Sequence, residues 1–423
     1  MENRDFALNE YHNEQRRLTK KMFKKGVLIG TLVTFMLFAS VFGMYAAHNF
    51  LFGPYVPPAI TYNSADEEYQ GKLQEIYHIL RENFLFADEI DENALIDGVF
   101  TGFVDSLGDP FTSYFNVEDT LRHRESRMGA YYGIGAVLTF NEDVGGAEII
   151  RLFEESPAEE VGLLVGDIIV QVNETEITDQ DLTEIVSWIR GEKGTYVNLT
   201  VLRDTDRISF DVMRDNIQVA SVAHEMLGRS IGYMSISGFD HLTFEQFYNA
   251  MDDLESQGME GLIIDLRDNP GGSLHIVVDI LNEIVPEGII VTMEDRNGNV
   301  IEHVSDGEND FDLPLVVLVN ENSASASEIF AGAIRDHDMG TIVGTTTYGK
   351  GLVQRIIDLS DGSSLQVTIA EYFTPNGTSI NETGIVPDIE IELDEPEYID
   401  NIDDIVDNQL EMAIEVMRGK IRR

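Results

Sequence analysis

The sequence predicts a multidomain α/β protein, and three observations carry the prediction. At 423 residues the chain exceeds one ordinary domain and has length for two or three. Its texture changes twice, from helical spacing to short β-prone runs near Gly129, then to alternating strand and helix from Ile217. Ahead of all this, Gly26 to Ala65 contains no Asp, Glu, Lys or Arg.

Taken in order, residues 1–25 form a basic tail, with Arg4, Arg16, Arg17, Lys20, Lys21, Lys24 and Lys25 against four acids. Gly26–Ala47 is dominated by Val, Leu, Ile, Phe, Met and Ala, and is long enough to cross a bilayer as a helix. The basic flank precedes it, so the positive-inside rule keeps the N-terminus cytoplasmic. A cleaved signal peptide is the rival reading. Against it, the apolar run is longer than a usual signal core, and Met44-Tyr45-Ala46-Ala47 is a poor small-residue cleavage site. The expectation is a single-pass protein of the cell membrane, with residues 66–423 outside the cytoplasm on either reading.

Residues 48–65, with Gly53-Pro54 and Pro57-Pro58, read as a stiff linker. Residues 66–125 read as a helical cap. Leu73, Ile76, Tyr77 and Leu80 share one helix face, Leu95, Val99 and Phe103 another, and Gly108-Asp109-Pro110 stops the second helix. Residues 126–215 read as a β-rich module, with strands at Ala136–Phe140, Ala147–Phe153, Asp167–Val172 and Val197–Arg203. Short helices at Pro157–Glu160 and Asp181–Ile189 interrupt them. Residues 216–390 read as an α/β layer. Strands Ile231–Ile236 and Gly261–Leu266 flank a helix bearing Phe244, Phe247, Met251 and Leu254, and Leu315–Val319 leads to a helix at Ser327–Arg335. Residues 391–423 end in an amphipathic helix over 404–417.

A formal net charge of −48 excludes nucleic-acid binding, because a phosphate backbone would be repelled. The absence of cysteine excludes disulfides and thiolate metal sites.

The clearest chemistry lies between Asn320 and Gln354. Ser325 sits where an apolar strand gives way to a helix, and the helix N-terminus offers free N–H groups and a positive dipole end to a developing oxyanion. Lys350, between Gly349 and Gly351, would accept the serine proton if desolvation keeps its amine neutral. Asn269-Pro270-Gly271-Gly272 follows a strand, and its glycines let backbone N–H groups aim inward as further donors. Three rival readings stand beside this one. Alternating Ser and Ala at a helix start serve most often as caps. Gly344 to Lys350 fits the first seven positions of a phosphate-binding loop, but Gly351 stands where Ser or Thr would hold magnesium. A Ser-His-Asp triad would call on His337 or His275, and His337 lies about three turns down the nucleophile's own helix, too far to reach it.

These residues resemble the carboxyl-terminal processing peptidases, membrane-anchored or exported serine peptidases with a PDZ domain. The resemblance runs from about residue 70 to 390. It rests on Ser106-Leu107-Gly108-Asp109-Pro110-Phe111-Thr112, Gly133-Ile134-Gly135, Ser156-Pro157-Ala158 and Gly166-Asp167. It continues through Leu266 to Gly272, Ser323 to Glu328, Gly349 to Gln354, Thr374-Pro375-Asn376-Gly377 and Gly384 to Asp388. It implies Ser325 as nucleophile, Lys350 as base and Gln354 as the residue that orients the lysine. The implied oxyanion hole is the backbone N–H of Gly271 or Gly272 with that of Ala326. It implies a PDZ domain over 126–215 that captures apolar protein C-termini through Gly133, Ile134 and Gly135, with Tyr132 where the family often has another glycine. Arg190 is the candidate for gating. A homodimer through the cap and the end helix is implied, and no metal or organic cofactor. The alternative from another class is a membrane-tethered PDZ adaptor whose peptidase core is silent.

Overall fold

The structure, a computed structural model, describes residues 64–177, 180–309, 311–394 and 407–422. The expected basic tail and membrane helix lie outside these residues. Among the described residues no helix is long and apolar enough to cross a membrane. The chain divides into two compact units between Glu92 and Asn93. The described part of the first is helix α1 (Ser64–Asn83) and a 3-10 turn at Ala87–Glu89. Tyr69, Leu73, Ile76 and Ile79 are exposed along α1.

The division falls at the first residue of α2 (Glu92–Asp105), the rest of which begins the second unit and ends ahead of Gly108. A short strand absent from the sequence reading follows, β1 (Ser113–Phe115), and then α3 (Val117–Met128). Asn116 caps α3 by accepting the Asp119 N–H at 2.8 Å, and Gly129 ends it in the left-handed region.

The β-rich module comprises β2 (Ala130–Gly133), β3 (Ala136–Asn141), β4 (Gly146–Leu152), α4 (Pro157–Glu160), β5 (Ile168–Val172) and β6 (Thr175–Glu176). It closes with α5 (Leu182–Ile189), β7 (Tyr196–Arg203), β8 (Asp206–Met213) and β9 (Asp215–Gln218). Its antiparallel sheet has the order β3-β4-β5-β7-β8, which leaves β3 as an edge strand. Val197, Leu199 and Val201 point inward from β7 and meet Ile149, Ile169 and Ile185 in one buried cluster. Strands β2 and β9 pair with each other where the chain enters and leaves the module.

The remaining elements are β10 (Val222–Leu227), β11 (Ile231–Ile236), α6 (Thr243–Ser256), β12 (Gly261–Asp265), α7 (Leu274–Asn282), β13 (Gly288–Asp295) and β14 (Val300–Ser305). After them come β15 (Leu315–Val319), α8 (Ala326–Asp336), β16 (Gly340–Gly344), β17 (Leu352–Asp358), β18 (Ser364–Phe373), β19 (Ile389–Glu390) and α9 (Asn408–Ile421). The main sheet runs β10-β11-β12-β15-β16-β19 and is parallel from β11 onward. Strand β15 shows why its sequence is apolar at every position. Leu315, Val317 and Val319 join the cluster containing α6, α7 and α8 residues, while Val316 and Leu318 pack toward Ala413 and Met417 of α9. Burying each such side chain stabilises by about 1.5–3 kcal/mol, so the strand is pinned from both faces. A second sheet, β1-β18-β13-β14 with β17 on β18, is antiparallel. Arg267 fastens α9 beside the end of β12, donating to Asp265, Asp407 and Gln409.

Candidate active site

Strands β12 and β15 are parallel neighbours, so the loops leaving their carboxyl ends run side by side. Ser323 Oγ donates to the Leu266 carbonyl at 2.7 Å, and Ala324 N–H and Ser327 Oγ donate to the Asn269 carbonyl at 3.0 and 2.9 Å. Ser323 and Ser327 are fully buried with their hydroxyls engaged. Ser325 differs. It is half-buried at the N-cap of α8, with φ +54° and ψ −111°. A non-glycine residue there stores on the order of 1–3 kcal/mol, sustained only because its surroundings dictate it. The Glu328 N–H faces the Ser325 hydroxyl in a capping box and donates to the Ser325 carbonyl at 2.9 Å. The hydroxyl lies beside the Tyr372 phenol.

Gly271 packs directly on this serine. A Cβ there would fall 2.6 Å from the Ala324 carbonyl oxygen and 2.8 Å from Ser325 Cβ, at φ +100°. The Gly271 N–H is occupied, donating to Asn269 Oδ1 at 2.8 Å. Among the described residues, the N–H groups of Gly272 and Ala326 have no acceptor. The three expected oxyanion donors thus divide: Gly272 and Ala326 are available, and Asn269 holds the Gly271 N–H away.

Glu328 organises the site to an extent the sequence does not disclose. It is fully buried, and its Oε1 accepts the Thr347 hydroxyl at 2.6 Å and the Gly349 N–H at 2.7 Å. Oε2 accepts the N–H groups of Ser325 and Lys350, each at 2.8 Å. Four donors on two oxygens require the acceptor-only carboxylate. Tyr372 of β18 makes a matching contact, its hydroxyl donating to the Ser325 carbonyl at 3.0 Å and bonding the Lys350 carbonyl. Burial, reinforced by the Glu328 charge, holds that phenol protonated well above its ordinary range. Serine and lysine backbones therefore share one carboxylate oxygen and one phenol. Tyr372 was not found in the sequence, although Thr374-Pro375-Asn376-Gly377 lies just beyond it.

The Lys350 side chain is half-buried, with Nζ 4.7 Å from the centre of the Phe111 ring. Burial lowers its proton affinity below that of an ordinary lysine; the carboxylates of Glu328 and Asp109 oppose this without overcoming it. No hydrogen bond joins Nζ to the Ser325 hydroxyl among the described residues. Gln354 donates to Thr368 Oγ1 at 3.4 Å and makes no hydrogen bond to Lys350. The loop from Gly344 to Lys350 leads into strand β17, whereas a phosphate-binding loop opens a helix. His337 caps the far end of α8, its Nε2 2.7 Å from the Ile289 carbonyl.

In the β-rich module, Gly133 ends β2, Ile134 is buried in the core, and Gly135 has φ +78°. The Gly135 carbonyl accepts the Phe153 N–H at 3.0 Å and that of Ile134 the Ala158 N–H at 2.9 Å, fixing the loop that leads into edge strand β3. Arg190, which ends α5, stacks over Tyr131 of β2 at 4.7 Å and lies 3.6 Å from Glu125 of α3.

Three family profiles match this chain: Peptidase family S41 over 230–391, a PDZ domain over 152–203, and the activating protease CtpB N-terminal domain over 40–119. Among curated proteins it is 32% identical to the carboxy-terminal processing protease CtpB of Bacillus subtilis, covering 86% of this chain and 76% of that one. It is 34% identical to the carboxy-terminal-processing protease of Bartonella bacilliformis, covering 80% and 79%. It is 35% identical to the carboxyl-terminal-processing protease of a Synechocystis species, covering 75% of each.

Proposed function

We infer how this chain, which belongs to the serine-type carboxyl-terminal processing peptidases of family S41, cleaves its substrates. In this reading Ser325 is the nucleophile and Lys350 its general base. The neutral amine takes the Ser325 hydroxyl proton as Oγ attacks the scissile carbonyl carbon, and the oxyanion is met by the N–H groups of Gly272 and Ala326. The lysine then gives that proton to the departing amine, leaving an acyl-serine that water hydrolyses with the lysine again as base. Gln354 enters as the residue that orients the amine once substrate is bound.

The single observation that carries this reading is the contrast among three serines. Ser323 and Ser327 donate to backbone carbonyls, while Ser325 stands at a strained helix start, its hydroxyl donating to no backbone carbonyl among the described residues and its backbone tied to that of Lys350.

The PDZ domain would capture a substrate C-terminus by adding it as a strand to the open edge of β3, with the carboxylate at the Gly133–Gly135 loop. Arg190, reaching from the end of α5 to β2 and α3, would couple that event to the site. Residues 26–47 would anchor the enzyme in the cell membrane with the catalytic part outside the cytoplasm. The apolar residues exposed on α1 favour pairing with a second copy.

The test uses the full-length chain and an unfolded protein with an apolar C-terminal tail. Wild type should cleave it, and Ser325→Ala and Lys350→Ala should not; normal cleavage by either variant ends the claim. If wild type binds the tail but never cleaves, the adaptor reading replaces this one. A peptide with a free C-terminal carboxylate should bind, and its amidated twin should not.

A further inference from the structure

The turn Asp109-Pro110-Phe111-Thr112 has no part in the reaction as set out above. It lies outside the peptidase profile over 230–391 and inside the N-terminal profile over 40–119. The fold nevertheless delivers it to the base. Lys350 Nζ stands 4.7 Å from the centre of the Phe111 ring. That ring is held from both sides in sequence. Gln366 of β18 donates to the Phe111 carbonyl at 2.9 Å, and β1 pairs with β18 immediately afterwards, Ser113 opposite Gln366. Asp109 folds back on the turn, its Oδ1 accepting the Phe111 N–H at 3.1 Å and its Oδ2 the Thr112 hydroxyl at 2.6 Å. Thr112 Oγ1 accepts the Thr368 N–H at 3.1 Å, and Thr368 Oγ1 accepts from Gln354 at 3.4 Å. Asp109 is thus bonded through two threonines toward the glutamine expected to orient the lysine.

We propose that this turn is a positioning element for the base: Phe111 walls the Lys350 amine from water, Asp109 places a fixed negative charge beside it, and docking of β1 on β18 holds both in place. The proposal rests on the reading of Lys350 as general base.

The two residues pull the amine in opposite directions. A dry wall disfavours the ammonium; a carboxylate and an aromatic face favour it. The charged groups facing the amine are Asp109 from the turn and Glu328 from α8, while Tyr372 from β18 contributes a phenol that stays protonated. Asp109 is itself kept ionised. Burial resists its charge, but bonds from Thr112, Thr368 and the Phe111 N–H, with the nearby Lys350, hold its carboxyl below the ordinary range.

The experiment is the pH profile of kcat/KM for Asp109→Asn, Phe111→Leu and Phe111→Ala in the full-length chain, with thermal melting to confirm folding. Asp109→Asn removes the charge and should move the acid limb to lower pH, raising activity about threefold or more on the wild-type slope. Phe111→Ala lets water reach the amine and should move the limb to higher pH, with activity at neutral pH falling about threefold or more and recovering in alkali. Phe111→Leu, which keeps an apolar wall but removes the aromatic face, should leave the limb at its wild-type pH or slightly below it. A structural lesion would lower activity at every pH and leave the limbs in place. Folded Asp109→Asn and Phe111→Ala variants with the wild-type profile would overturn the proposal while wild-type cleavage leaves the Ser-Lys reading intact; a wild type that does not cleave overturns that reading first.

Discussion

Replacing Glu328 by glutamine tests whether one buried carboxylate assembles the site. The substitution keeps the size of the side chain but exchanges one acceptor oxygen for a donor NH2. Its best placement keeps the oxygen toward the N–H groups of Ser325 and Lys350 and turns the NH2 toward Thr347 and Gly349. Thr347 Oγ1 can become an acceptor, although it already takes the Ile385 N–H at 2.7 Å. The Gly349 N–H cannot be satisfied. A buried orphaned donor costs about 1–3 kcal/mol, and two retained bonds that lose charge assistance add about 1 kcal/mol each. The expected loss is about 3–5 kcal/mol.

Part of that loss should surface as a melting temperature several degrees lower, and part as a shifted backbone at Ser325 or Lys350. A misplacement near 1 Å costs about a hundredfold in rate. Glu328→Gln should therefore lose about a hundredfold in kcat with KM near that of wild type, since the PDZ groove is untouched. Removing the carboxylate also takes away charge that favours the ammonium of Lys350, so the residual activity should have its acid limb at lower pH. Steady-state kinetics across pH, with calorimetric melting, reads all three. Wild-type kcat and an unchanged melting temperature would refute the reasoning, because Thr347 and Gly349 cannot lose their shared acceptor oxygen without consequence.

Arg267→Met should free α9, since breaking a largely buried ion pair costs about 3–5 kcal/mol; hydrogen exchange over Asn408–Ile421 should quicken. Burial resists ionisation of Asp407, but Arg267 and the Leu410 N–H outweigh it and hold its carboxyl below the ordinary value. That contribution is complete above the ordinary aspartate value of about 3.9 and fades as pH falls through the folded one, so wild type and Arg267→Met should converge in melting temperature in acid. Gly135→Ala should destabilise the PDZ domain, because its Cβ would collide with Ser156 Cβ at a φ of +78°. Melting and binding of a C-terminal peptide should fall together.

What the sequence disclosed follows from how locally each feature is determined. Strand β15 was legible because burial on both faces makes every residue apolar. Ser325 and Lys350 could be proposed from the sequence because their chemistry is rare and their neighbours are small. The role of Glu328 was not, since a helix-start acid has many uses and only the fold brings Thr347, Gly349 and Lys350 onto it. The antiparallel sheet largely escaped. Strand β14 is mostly exposed and β18 is half-buried along most of its length, so neither presents a strong apolar rhythm. Tyr372 was lost with it, and so was the use of Phe111, which precedes a three-residue strand whose partner lies far along the chain. Strand β8 did offer alternation in Ile208, Phe210 and Val212, and went unread.

The shared anchors also say where control of the proposed reaction can act. Because Glu328 Oε2 takes both N–H groups and Tyr372 takes both carbonyls, the Ser325 and Lys350 backbones move as one piece. Separating them would leave one of the two N–H groups and one of the two carbonyls without its partner, at about 1–3 kcal/mol for each group left unmet. Swinging the lysine amine from Phe111 toward Ser325 needs only rotation about side-chain bonds, which is fast and cheap by comparison. A signal that switches this enzyme therefore has little to gain from breaking the clamp. It gains most by acting on the proton of the amine, through the wall and the charge that β1 and its preceding turn hold against it.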